Sequence, residues 1–144
     1  MPCRSANLIT KTFDAAKIAY ATREQGRESV VAVPCRLSGG EEITLCYLCG
    51  GGSNRTTVRC WLMNVAKSDS LPALYALCNR CNGSYGFLKF YEESGTVVVD
   101  LDIPPSVADK DLGEAAYGAL VTFTTILSKV YVDFERLCGN NSEE

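Results

Sequence analysis

Eight of the 144 residues are cysteine, and four of them fall into two pairs of the same spacing, Cys46-Tyr47-Leu48-Cys49 and Cys78-Asn79-Arg80-Cys81. Two such pairs could supply four thiolates to one tetrahedral zinc ion, and a single pair could instead exchange disulfides with a substrate. Local periodicity argues against both. Cys46 and Cys49 lie an odd number of residues apart in a run that alternates like a strand, so they project to opposite faces unless the glycines at 50–52 bend the chain into a knuckle. Cys78 and Cys81 fall on the apolar stripe of a helix, where free cysteine is an ordinary small hydrophobe. They also sit toward that helix's C-terminal end, whose dipole disfavours a thiolate. The expectation is no metal and no cofactor, with zinc on Cys46, Cys49, Cys78 and Cys81 as the alternative and a dithiol oxidoreductase behind it.

Other catalytic chemistry finds little to use. The chain has no histidine, which excludes Ser-His-Asp and Cys-His arrangements and the usual proton shuttle near neutral pH. Gly39-Gly40 and Gly50-Gly51-Gly52 lack the lysine and following helix of a phosphate loop and read as hairpin turns. Asp100 and Asp102 share one strand face, as paired carboxylates must, yet a solvated face accounts for them equally well. A non-enzymatic protein is expected.

The elements that position these residues follow from periodicity. Leu71, Leu74, Leu77, Cys78 and Cys81 predict a helix after Ser70, with Ser70 as its cap, Pro72 in the first turn and Gly83 as its stop. Phe87, Lys89 and Tyr91 then alternate with Leu88 and Phe90. A Glu93-Ser94-Gly95 turn leads into a return strand with Val97, Val99, Leu101 and Ile103 on one side and Val98, Asp100 and Asp102 on a wet side. Upstream, residues 1–10 read as a loose arm and Lys11 to Glu24 as a helix ended by Gly26. Ser29 to Leu37, Glu42 to Cys49 and Thr56 to Val65 form a three-strand antiparallel meander in which Pro34 marks an edge or a bulge. Downstream, Leu112, Ala116, Phe123, Ile126, Val130, Phe134 and Leu137 carry a helical stripe from about Ala108 to Cys138, stopping at Gly139 and weakened by Gly113 and Gly118. The result is an α+β fold, helix-β-β-β-helix-β-β-helix, an antiparallel sheet with the helices mainly on one face.

The stretch in which Asn79 and Asn82 stand three apart at a helix end, followed by Gly86-Phe87-Leu88-Lys89-Phe90-Tyr91, a Gly-containing turn and a Val-rich strand closing on Asp102-Ile103-Pro104, resembles the YbjN-like family of bacterial sensory-transduction regulators. That resemblance implies the fold of type III secretion chaperones and a protein-binding regulatory or chaperone-like role. If the analogy holds, the open sheet face binds a segment of another protein, with Trp61, Met63, Phe87, Lys89 and Tyr91 as candidates. Asn79 and Asn82 are expected to satisfy nearby backbone groups.

Composition sets the remaining bounds. At 47% hydrophobic and 22% charged residues, the chain suits one domain over residues 1–144. A net charge of −3 disfavours nucleic acid and anionic membrane as partners. The first 13 residues lack the long apolar segment of a signal peptide, so a cytoplasmic, reducing location is expected, with free thiols. The last helix outruns a five-stranded sheet, and Ile126, Val130, Phe134 and Leu137 are the expected contact of a homodimer.

Overall fold

The computed structural model describes residues 3–50, 55–66 and 70–139. Helix α1 spans Arg4–Ala15, earlier than periodicity predicts, and buries Ala6, Ile9 and Phe13 at helical spacing. It stops because Lys17 turns left-handed, with φ 60°. The Ile18 amide then donates to the Phe13 carbonyl at 2.9 Å and the Lys17 amide to Asp14 at 3.1 Å, the paired closure of a Schellman turn. A lysine occupies the position that glycine usually fills, so the stop is silent in the sequence. The chain from Ala16 to Glu24 is therefore no helix. From Ala21 the chain runs as strand β1 (Ala21–Gln25), and Gly26, at φ 62°, forms the turn into β2 instead of ending a helix.

Strands β2 (Glu28–Arg36), β3 (Glu42–Gly50) and β4 (Thr56–Asn64) continue the meander, so four consecutive strands precede α2 where three were expected. Helix α2 (Leu71–Ser84), β5 (Lys89–Glu93), β6 (Thr96–Ile103) and α3 (Asp109–Cys138) complete the order. All neighbouring strands are antiparallel, arranged β1-β2-β3-β4-β6-β5. Pro34 sits in β2 opposite Thr44 of β3, beyond the point where β1 pairing ends at Ala21 and Ala32, so its missing N–H leaves no ladder bond unmade. The β5–β6 hairpin turns on Ser94 and Gly95, both at positive φ, as a tight two-residue turn requires.

Two capping expectations fail. Ser70 precedes α2 but makes no side-chain cap bond, and Gly83 lies inside the helix, which ends at Tyr85 with its amide on the Cys81 carbonyl at 2.8 Å. The aromatic strand also begins later than its alternation suggests, because Tyr85 to Leu88 form a turn closed by the Leu88 amide on the Tyr85 carbonyl.

All three helices lie on one face of the sheet, over Val31, Val33, Leu45, Tyr47, Val58, Cys60, Phe90 and Val99. Helix α3 is continuous over 30 residues, with no break at either glycine. Gly113 is instead a contact: a Cβ there would stand 1.8 Å from the Thr12 hydroxyl of α1, so the missing side chain lets the two helices touch. The Tyr47 hydroxyl donates to the Ala116 carbonyl at 2.7 Å and ties α3 to β3. Farther along, the Phe134 ring stacks on Phe90 with centroids 5.7 Å apart. The length by which α3 exceeds the sheet is taken up by α1 along its first half and α2 along its second. By length and composition α3 could cross a membrane, yet its apolar stripe from Leu112 to Cys138 is buried against the rest of the chain.

Candidate partner-binding surface

With every helix on one side, no described element covers the opposite side of the sheet, and register decides which residues stand there. Arg59 pairs with Asp100, Asp100 with Lys89, Trp61 with Val98 and Val98 with Tyr91, which puts all six on the uncovered face. Arg59 Nε donates to Asp100 Oδ1 at 2.8 Å and its Nη2 to Oδ2 at 3.0 Å, a forked pair. The Tyr91 hydroxyl donates to the same Oδ2 at 2.8 Å. Burial, and then this bond to a carboxylate, push the Tyr91 hydroxyl up to about 12, so it remains a donor at any physiological pH. The side chain of Asp100 is only 8% exposed and that of Arg59 29%. Of the three residues expected on the wet side of β6, Asp102 is exposed and accepts from Thr57, whereas Val98 and Asp100 are enclosed.

Over this network the Arg59 guanidinium lies 5.8 Å from the Trp61 ring, and Trp61 remains 50% exposed. Val98, between Trp61 and Tyr91 in register, is 1% exposed yet stands outside the core cluster. Val30, in the same situation on β2, continues the apolar character toward β1, and Leu48 and Cys46 of β3 lie between the two. Arg59, Asp100 and Tyr91 satisfy one another through three hydrogen bonds. The arrangement presents a half-exposed aromatic beside a neutralised ion pair.

The candidates read from sequence divide accordingly. Trp61, Lys89 and Tyr91 are brought together on the uncovered face. Met63 is not: a bulge between Trp61 and Met63 sets Met63 opposite Val97 and turns it toward the core, against which it packs half-buried. Phe87 stands apart as well, 82% exposed beside an apolar groove of about 310 Å³ that Leu101, Ile103, Val107 and Ala119 line on the helix side of β6. Sequence reasoning missed Arg59 and the structural part of Asp100. A cation and a carboxylate at matching positions of two strands become visible only once β4 is known to neighbour β6.

Asn82 has a specific task. Its side-chain amide donates to the Phe90 carbonyl at 3.0 Å while its oxygen accepts from the Phe90 amide at 2.6 Å, so one side chain closes the outer edge of β5 as a neighbouring strand would. Asn79 is exposed.

The expected dimer contact is corrected. Val130 and Phe134 belong to the core of the single chain, and Ile126 and Leu137 pack half-buried against it. The exposed apolar residues of α3 are Tyr117, Val121 and Val132, at a spacing that places them together on its outer side. The cysteine pairs are not brought together either. Cys49 is buried in the core, Cys46 projects from the uncovered face, and Cys78 and Cys81 face inward from α2. No group of three or more potential metal ligands occurs among the described residues. Burial pushes the Cys78 thiol up to about 11 and raises that of Cys81, away from the thiolate a dithiol oxidoreductase needs.

Comparison with known proteins adds two findings. Residues 5–123 match the family model YbjN, described as "Putative bacterial sensory transduction regulator". Among solved structures, a chain of the "Crystal Structure of the ExsC-ExsE Complex" shares the fold with a TM-score of 0.53 at 12% identity, over 90% of this chain and 96% of that one. No curated protein matches the chain.

Proposed function

Since the chain belongs to the YbjN family, we propose that it is a non-enzymatic regulatory or chaperone-like module whose helix-free sheet face binds a segment of another protein. The observation that carries this reading is Trp61, half exposed over the Arg59–Asp100–Tyr91 network on a face that no element among the described residues covers. Aromatic residues and arginine dominate the energetics of protein interfaces, and a rigid aromatic pays little entropy on contact. The solved structure of similar fold is that of a complex, which is in keeping with a binding role. Lys89 at the rim adds a charge that steers approach more than it holds the partner. We further propose a cytoplasmic location and, through the outer stripe of α3, a homodimer.

A photo-crosslinking residue placed at position 61, compared with one at position 24 on β1, identifies the partner inside cells. Binding of that partner is then measured with Trp61→Ala. A loss of about thirtyfold is expected for an aromatic at the centre of an interface. Unchanged affinity of Trp61→Ala and Tyr91→Phe would refute the assignment of this face.

A further inference from the structure

Cys3 heads α1, and its backbone amide donates to the buried Ser29 hydroxyl at 2.8 Å. Ser29 stands directly opposite Cys49 in the β2–β3 register, on the core-facing side. A cross-strand pair of this kind holds its Cβ atoms about 5 Å apart, so the hydrogen bond that anchors Cys3 also delivers it to Cys49. Its sulfur packs 3.3 Å from the position of a Cβ on Gly50, the residue next to Cys49. A β-carbon at Gly50 would crowd that sulfur.

The two thiols differ in access. Cys49 is buried, whereas Cys3 is half-buried at the rim of a cleft of about 170 Å³ that Arg4, Pro104, Pro105 and Leu112 also line. We propose that Cys3 and Cys49 form a reversible disulfide in response to peroxide, with Cys3 as the oxidised thiol and Cys49 as the resolving one. Peroxide reaching the cleft converts the Cys3 thiol to a sulfenic acid and leaves as water, the O–O bond breaking as the S–O bond forms. Burial keeps Cys49 a neutral thiol near neutral pH, so its sulfur attacks the Cys3 sulfur only as its proton passes to the departing hydroxyl, and the step quickens as pH rises. The S–S bond forms, the hydroxyl departs with the Cys49 proton as a second water, and two thiols have given up two electrons in all. The bond closes the loop from residue 3 to residue 49 and fastens the start of α1 to β3, and a thiol reductant reverses it.

The test uses the purified full chain, reduced and then treated with hydrogen peroxide. The oxidised protein should lose the mass of two hydrogens, and trypsin should release residues 1–4 joined to residues 37–55, with fragmentation placing the link on Cys49 rather than Cys46. Closing a loop of this length should raise Tm by about 10 °C, an increase that dithiothreitol removes. Cys3→Ser should abolish both changes and Cys46→Ser neither. A link from Cys3 to Cys46, oxidation of Cys3 that stops at the sulfinic acid, or a linked protein that melts no higher than the reduced one overturns the proposal.

Discussion

Replacing Arg59 with methionine keeps the length and much of the volume of the side chain while removing the fork that holds Asp100. What remains is a carboxylate whose side chain is 8% exposed, keeping one hydrogen bond, from Tyr91, of the three it accepts. Removing one partner of a fully buried pair costs about 3–5 kcal/mol, chiefly because the other charge is left behind. Arg59 is itself 29% exposed, so water can reach part of the space it vacates, and about 2–3 kcal/mol is the expected loss. The double variant Arg59→Met/Asp100→Leu leaves no charge behind and should recover at least half of that loss. Urea unfolding of the two single variants and the double one, read at constant m-value, makes the cycle. A loss below about 0.5 kcal/mol for Arg59→Met, or a double variant that costs the sum of the singles, would show that the pair does not support the sheet face.

The two glycines of α3 should respond in opposite directions. Gly113→Ala drives a methyl group into Thr12, whose Cβ lies 2.8 Å away, and should cost about 1–2 kcal/mol net of the gain in helix propensity, whereas Gly118→Ala meets no atom within 4 Å and should stabilise by up to about 1 kcal/mol; thermal melts decide. Burial holds the Cys35 and Cys78 thiols up to about 11 and the Cys49 and Cys60 thiols up to about 12. The folded chain therefore binds more protons than the unfolded one above pH 9, so stability should fall from pH 9 to 12, and a melting temperature that stays flat over that range contradicts the assignment. Phe134→Glu should unfold the protein, because that ring is fully buried against Phe90, while Val121→Asp should keep the fold and convert a dimer into a monomer by light scattering. A wild-type monomer at tens of micromolar removes the dimer.

What the sequence could disclose depended on how each residue's task is encoded. The meander after residue 28, the β5–β6 hairpin and the long last helix were legible because each carries an apolar period matched to one buried face. Strand β1 was not, since all five of its residues are exposed and Ala-Thr-Arg-Glu-Gln has no apolar alternation to betray an edge strand. The end of α1 was hidden by Lys17 in a left-handed conformation that glycine would have announced. At the candidate site, parity within their strands placed Trp61, Lys89 and Tyr91 on one face, and Met63 was lost to a bulge that shifts parity by one. Phe134 went wrong for another reason. A stripe states that a surface must be covered, and only the packing of Phe90 shows that the cover comes from the same chain.

The same logic of coverage separates the two faces of the sheet. On the helix side the β-strands, α1, α2 and α3 bury one another, and Asn82 closes the β5 edge against an added strand. On the other side Val30 and Val98 are already enclosed by the side chains around them, without a helix. Among the large apolar side chains there, Trp61 stays half in water while Val30 and Val98 do not. An unneeded surface tryptophan would be free to sit beside any strand. This one stands in register with Val98 and Tyr91, with the Arg59 guanidinium 5.8 Å from its ring and the fork of that arginine fixed by Asp100. If this face binds a partner as proposed, an aromatic beside a guanidinium that is itself fixed by Asp100 loses less entropy on being covered than a free one, and Trp61→Ala is the substitution expected to cost most.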